Sequence, residues 1–251
     1  MSDFDMGYEG KYDFPQQRGP AIHYMLATIP RSGSSWFGHM LWQTGCLGAP
    51  LEYINFDEGH YGFARGAPAS QDQLWRSVLR RRTSPNGVFG FKAFPIQLEA
   101  LKDGNPALLQ AVMGAVLSGR PPRIVYLERR DRVAHAVSYA RATITGVWRK
   151  EQEGAGTPAA DYSQAAFDTA TRWIETQSGA WEDMFGDLRI APLRIWYEDA
   201  VADPGAAARQ VADYLGVAID PGAAVAAPGV EKQSAAEAQA WAAKHAEGNR
   251  S

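Results

Sequence analysis

The sequence predicts an α/β fold: a parallel β-sheet flanked by helices, in a single domain. Three observations carry that prediction. Apolar runs of strand length alternate with longer stretches of helical period. Twice, a strand-like run leads through a turn of small or basic residues into a helix start, at Ile29-Pro30-Arg31-Ser32-Gly33-Ser34-Ser35 and at Glu128-Arg129-Arg130-Asp131. The 251 residues, 45% apolar and 21% charged, suffice for one sizeable core of ordinary composition. Strands separated by helices run parallel through right-handed crossovers, and such sheets bind ligands at the carboxyl ends of their strands.

Residues 1–20 carry little helical or strand signal and read as an N-terminal extension; residues 21–251 form the domain. The buried run 21–29 is the first strand, and 35–43 the first helix, stopped at Gly45. A helix over 71–82, capped by Ser70, turns Leu74, Val78 and Leu79 inward. Asn86-Gly87 marks a turn before a short strand at 88–91. An apolar helix over 106–117, a strand over 123–128 and its helix over 132–145 follow. A long helical pattern covers 162–185, then a strand 193–197 and a helix 204–215 ended by Gly216. The stretches 154–160 and 218–229 read as loops, and there is no internal repeat.

Composition narrows the function classes. A formal net charge of −3 argues against a general nucleic-acid binder. No apolar run reaches the ~20 residues of a membrane span, and the first 20 residues lack the basic-then-apolar pattern of a secretion signal. The single cysteine, Cys46, excludes an internal disulfide and fits a reducing cytoplasm, where its expected role is packing behind the first helix. Five scattered histidines show no metal-ligand spacing, so no metal is expected.

The turn at residues 29–35 has the makings of an anion site. Loop amides and the first free N–H groups of the helix point at one spot, where the helix dipole favours negative charge. Gly33 lets the backbone approach a ligand, Ser32, Ser34 and Ser35 offer hydroxyls, and Arg31 adds a planar fork suited to phosphate or sulfate. The alternative is a serine-rich turn that caps a helix. A Walker loop is excluded, because no lysine follows Gly33 in the required G-x-x-x-x-G-K-[ST] spacing. The second turn repeats the geometry: Arg129 and Arg130 leave a strand end, and Ser138 lies about two turns along the following helix. Such a pair suits a second phosphate on one extended ligand; the alternative is a solvated basic turn with Asp131 as helix cap.

The Pro30-Arg31-Ser32-Gly33-Ser34-Ser35 loop has the pattern of the 5′-phosphosulfate loop of sulfotransferases. Four further segments follow in order: Gly48-Ala49-Pro50-Leu51-Glu52-Tyr53, Gly90-Phe91-Lys92, the R-R-D-x-x-x-x-A-V-S-x-x-R-A-x-x-T-x-x-W stretch from Arg129 to Trp148, and Trp196-Tyr197-Glu198-Asp199. Together they resemble the bacterial carbohydrate sulfotransferase family typified by trehalose 2-sulfotransferase, from about residue 21 to about residue 233. The arginine-rich stretch is the most specific of the matches. The resemblance implies a P-loop-like sheet and 3′-phosphoadenosine 5′-phosphosulfate (PAPS) as sulfuryl donor, without a metal. It implies that Arg31, Ser32, Gly33, Ser34 and Ser35 hold the 5′-phosphosulfate, with Arg31 also in a catalytic role, and that Arg129 and Ser138 hold the 3′-phosphate. Glu52 matches the family's general base, and Lys92 its lysine after a strand, with a charge-stabilising role. His39, one turn into the first helix, is the competing base.

The chain departs from the family pattern at Trp36, at Ala93-Phe94-Pro95 and at Glu231-Lys232-Gln233, and residues 55–69 have no match. The expected reaction is in-line sulfuryl transfer to a hydroxyl of a sugar or glycosylated small molecule, by positioning and charge stabilisation with a carboxylate base. Two alternatives remain: a non-carbohydrate alcohol or phenol as acceptor, or a PAPS- or nucleotide-binding protein without turnover. The family also allows a homodimer.

Overall fold

In the computed structural model of the protein, residues 10–15, 19–56, 62–119, 121–148, 161–219, 225, 227–228 and 235–248 are described. Five strands form one sheet: β1 (Ile22–Ala27), β2 (Leu51–Glu52), β3 (Val88–Ala93), β4 (Ile124–Glu128) and β5 (Leu193–Trp196). Their order is β2-β3-β1-β4-β5, and every pairing is parallel. After β1 the chain runs to β2 at one edge and returns to β3 beside β1; after β3 it crosses β1 to build β4 and then β5 on the other side. β1 and β4 therefore flank the point where the winding reverses, and loops diverge there to leave a crevice. Both turn motifs of the sequence emerge at this point.

The sheet is buried on both faces, which is why its central strands read as continuous apolar runs rather than alternating ones. Met25 and Ala27 join Phe89, Phe91, Ile124 and Tyr126 against one layer of helices. That layer contains α2 (Pro68–Arg81), α3 (Pro95–Gly104), α4 (Pro106–Leu117), α5 (Arg132–Thr145), α6 (Gln164–Asp187) and α9 (Ala235–Gly248). Tyr24 and Leu26 point the other way, with Val125 and Leu127, onto α1 (Ser34–Gln43), α7 (Tyr197–Ala202) and α8 (Pro204–Leu215). No helix among the described residues is long and apolar enough to cross a membrane.

The bounds of α4 and α5 agree with the sequence reading, and Gly216 ends α8 in the left-handed conformation. Other elements differ for identifiable reasons. α2 begins at Pro68, where a proline's fixed φ suits the first helical position, so Ser70 lies inside the first turn and is not the cap. β3 runs on to Ala93, and β5 stops at Trp196 because α7 starts on the next residue. The predicted helix over 162–185 shifts to Gln164–Asp187, with Ser163 accepting from the Ala166 amide as its cap. β2, α3, α7 and α9 have no counterpart in the sequence reading. α9 docks through buried Trp241, edge-on to Tyr162 at 5.2 Å, and through His245 stacked on Phe167 at 3.9 Å.

Part of the predicted extension packs on the core. Tyr12 and Phe14 are buried, the Phe14 amide donates to the Arg81 carbonyl (2.9 Å), and Asp13 pairs with Arg81 (2.5 Å) and Arg82 (2.9 Å) at the end of α2. The predicted loop at 154–160, most of 218–229, and Glu231-Lys232-Gln233 lie outside the described residues.

Candidate active site

The carboxyl ends of the strands carry two groups of side chains. The first surrounds the turn after β1. Arg31 (φ 68°) and Gly33 (φ 90°) both take the left-handed conformation, and between them the Ser32 amide closes a turn onto the Ile29 carbonyl at 3.2 Å. Gly33 is the N-cap of α1 and brings no side chain to cap the first-turn N–H groups. Any other residue there is blocked as well as strained: a Cβ on Gly33 would lie 2.2 Å from the Tyr197 ring. Ser32 is fixed from below, its hydroxyl 2.6 Å from that of Thr28, which in turn donates to the Leu127 carbonyl at 3.1 Å. The Thr28 carbonyl accepts from the Trp181 indole at 2.7 Å, so the base of the loop is tied to α6.

The turn after β4 closes on this loop. The Arg31 Nε donates to the Ser138 hydroxyl at 3.0 Å, and its Nη1 to the Trp148 carbonyl. Arg129 Nη1 donates to the Arg31 carbonyl at 3.3 Å, with its guanidinium 5.6 Å from the centre of the Tyr197 ring. Arg129 Nε is buried with no acceptor among the described residues. A guanidinium held on an aromatic face, with donor capacity left beside a left-handed amide turn, fits an anionic ligand.

Arg130 turns away, into a bidentate pair with exposed Asp199 (3.0 and 2.9 Å) over the Trp196 ring. Glu198 anchors the same turn by accepting from the Arg130 and Asp131 amides at 3.0 and 3.1 Å. Burial pushes its carboxyl up, but those two donors, its own amide and Arg129 together hold it below the usual value. Asp131 caps α5 through the Ala134 amide at 2.9 Å. His135, one turn into α5, is buried and neutral: burial chiefly, with Arg129, Arg132 and Arg31, pushes its imidazole down to about 4.

The second group is assembled by strand register. β2 and β3 place Glu52 beside Lys92, and Glu52 Oε2 pairs with Lys92 Nζ at 3.1 Å. The same ammonium donates to the Ser35 hydroxyl at 3.3 Å. Glu52 Oε1 accepts from Asn55 Nδ2 at 2.6 Å and from Gln97 Nε2 at 2.8 Å. Gln97 is itself fixed, since its Oε1 accepts from the Phe94 amide at 3.1 Å. Gly38 admits the chain here, because a Cβ on it would lie 2.7 Å from the Pro50 carbonyl. Glu52 is therefore a strand residue, held by Lys92, Asn55 and Gln97. His39 lies one turn along α1 from Ser35: its Nδ1 donates to the Ser35 carbonyl at 2.7 Å, and its ring packs edge-on to Tyr12 (5.5 Å) and Trp42 (6.5 Å).

Of the residues named from sequence, Arg31, Arg129 and Ser138 thus meet at the loop, and Glu52, Lys92 and Ser35 meet beside it. Sequence reasoning missed Thr28, Asn55, Gln97, His135 and Tyr197. Gln97 had a usable signal, a glutamine at the third helical position after Phe94-Pro95, which reads as a helix start. Tyr197 belongs to a matched segment but gained a role only from its contact with Gly33.

The model of the Stf0 sulphotransferase family matches residues 23–248. Trehalose 2-sulfotransferase of Mycobacterium tuberculosis is 28% identical over 249 residues, covering 87% of this chain and 92% of that protein. Trehalose 2-sulfotransferase of Mycolicibacterium smegmatis is 25% identical over 209 residues, covering 69% and 76%. Among solved structures, the sulfotransferase domain of the Synechococcus PCC 7002 olefin synthase aligns with TM-score 0.45 at 15% identity, over 92% of this chain and 97% of that one. The family match takes in both turn motifs, every strand but the first residue of β1, and all nine helices named above, and on it the chain belongs to the Stf0 sulphotransferase family and is a sulfotransferase.

Proposed function

We propose that the protein transfers the sulfuryl group of PAPS to a hydroxyl of a carbohydrate, with Glu52 as general base, in the cytoplasm. The observation that carries this reading is the lysine bridge. One ammonium, Lys92 Nζ, contacts both Glu52 Oε2 (3.1 Å) and the Ser35 hydroxyl of the anion loop (3.3 Å). A base and an anion cradle joined through one cation are what an in-line transfer needs.

Bound PAPS supplies the sulfuryl group and a phosphate leaving group. Arg31, the amides that follow Ser32 and the hydroxyls of Ser34 and Ser35 hold the 5′ end, while the Ser32 hydroxyl donates to Thr28 and braces the loop from below. Arg129, whose buried Nε has no partner among the described residues, and Ser138 hold the 3′-phosphate. Preorganised donors of this kind stabilise the charge that grows on a departing oxygen. Lys92 offsets charge on the group in transfer. Glu52 Oε1 already accepts two side-chain amides, so Oε2 is the oxygen that takes the acceptor proton. A sugar acceptor is supported by the two relatives named trehalose 2-sulfotransferase.

The test is incubation with PAPS and a sugar panel headed by trehalose, without magnesium, followed by mass spectrometry of the products. Calorimetry should show adenosine 3′,5′-bisphosphate bound roughly ten- to hundredfold more tightly than AMP, the worth of a charge-assisted contact. Equal affinities, or sulfated phenols without sulfated sugars, would overturn the donor and the acceptor assignments respectively.

A further inference from the structure

We infer that His135 is a positioning residue for the donor loop: its Nε2–H grips the Pro30 carbonyl and so holds the turn in which Arg31 takes the left-handed conformation. The inference rests on the donor site proposed above. His135 lies on the same face of α5 as Ser138, three residues earlier. Its Nε2 is 2.8 Å from the Pro30 carbonyl oxygen. A carbonyl only accepts, so Nε2 carries the hydrogen and the ring is the neutral Nε2–H tautomer.

Arg31 is a non-glycine residue at φ 68°, a conformation that persists where the surroundings over-determine it. The surroundings here do so from both sides. The carbonyl before Arg31 is held by His135 and the carbonyl after it by Arg129, while Ser138 holds its side chain. The turn is closed locally by the Ser32 amide on the Ile29 carbonyl (3.2 Å), and the three partners named, from the turn after β4 and from α5, brace it from outside, so the second motif supports the backbone of the first.

The chemistry of the imidazole suits this task. Three arginines, Arg129, Arg132 and Arg31, bear on the ring, and they and burial keep it uncharged, so it donates a hydrogen bond without adding a cation beside the loop. Its Nδ1 is buried with no partner among the described residues. A buried polar atom left in that state is unfavourable, and an apolar ring of the same shape would avoid it. The residue keeps its place through what Nε2–H does.

Two isosteric variants separate this role from packing. His135→Gln places an amide nitrogen at the position of Nε2; His135→Asn places one at the position of Nδ1. The Asn variant should bind adenosine 3′,5′-bisphosphate about tenfold more weakly, as expected for one lost hydrogen bond in a preorganised loop, and the Gln variant should recover to within about threefold of the parent. The acceptor KM should move in neither. Long-range ¹H–¹⁵N spectra of the parent protein supply a readout that needs no variant: His135 should be the Nε2–H tautomer at neutral pH. The Nδ1–H tautomer, a Gln variant as weak as the Asn variant, or an Asn variant equal to the parent would overturn the inference. A parent that binds no bisphosphate would instead overturn the donor site itself.

Discussion

The loop side and the carboxylate side of this site are built by different means. On the loop side, Arg31, Gly33, Arg129, His135 and Ser138 come from two short contiguous stretches that meet where the sheet reverses its winding. Much of the work there falls to backbone geometry: two left-handed residues, Arg31 and Gly33, the second also the helix cap under an aromatic ring. On the carboxylate side, Ser35, Glu52, Asn55, Lys92 and Gln97 come from separate segments and converge only through the β2–β3 register and the start of α3. The loop side constrains its own sequence, because few residues tolerate its backbone. The carboxylate side leaves its sequence nearly free, because a glutamate on a two-residue strand looks like any other. A local motif can thus specify a binding site, whereas the groups proposed for proton transfer are specified by topology.

The sharpest way to break this division is Glu52→Gln. If the two sides act separately, kcat falls by about 10²–10⁴, the usual worth of a positioned base, while affinity for adenosine 3′,5′-bisphosphate stays near that of the parent. The thermal midpoint should also drop, because Lys92 is 5% exposed and loses its carboxylate partner. A parallel loss of donor affinity would show that the lysine bridge fuses the two sides into one unit. His39→Asn is the control, and it should retain turnover, since that ring packs against Tyr12 and Trp42.

The loop side also makes a pH prediction. The His135 imidazole titrates at about 4 in the folded protein, against ~6.5 in an unfolded chain. Between those values the unfolded state binds a proton that the folded state refuses. The contribution is therefore complete above pH ~6.5 and is lost as the pH falls, by about 3 kcal/mol once the window is crossed. Denaturant midpoints of the parent should fall more steeply from pH 7 to pH 4 than those of His135→Gln, which has nothing to titrate there. Glu198, held below the usual carboxylate value, loses its contribution at lower pH still, but equally in both proteins. Parallel slopes would mean that the ring is wetter than its packing shows.

How far the site was legible follows the same line. The β1 strand, the turn into α1, α5 and the arginine turn could be read because a buried strand, a glycine-serine turn and an Asp cap each leave a local pattern. Glu52 was named, but its environment was not: two strand residues show no alternation, so Lys92 as a neighbour and Gln97 as a clamp were invisible. α7 was absorbed into the strand before it, which hid that Tyr197 leaves the sheet and covers Gly33. α9 is alanine-rich with a weak apolar stripe, and only Trp241 marks the face that docks.

The smallest expected effect is also the most discriminating. Arg129 and Arg130 are adjacent and chemically identical, and in the sequence only the family resemblance singles out Arg129. The structure parts them. Arg129 lies over Tyr197 with a buried Nε and reaches the Arg31 carbonyl; Arg130 forks onto Asp199, and both of those side chains are more than half exposed (54% and 62%). Arg129→Ala should lower affinity for adenosine 3′,5′-bisphosphate roughly ten- to hundredfold more than affinity for AMP, which erases the preference between them; its lost hold on the Arg31 carbonyl weakens both nucleotides alike. Arg130→Ala removes an exposed ion pair, a kind of contact with little measurable worth, so the same preference should change less than about threefold. The decisive quantity is the ratio of the two nucleotide affinities, because a general loosening of the turn would weaken both ligands together and leave the ratio intact. An Arg130→Ala ratio that collapses as far as that of Arg129→Ala would mean the turn presents both guanidinium groups to one phosphate. The clamp of Glu198 on the Arg130 and Asp131 amides is what argues against that rearrangement, since it fixes the backbone from which the two side chains diverge.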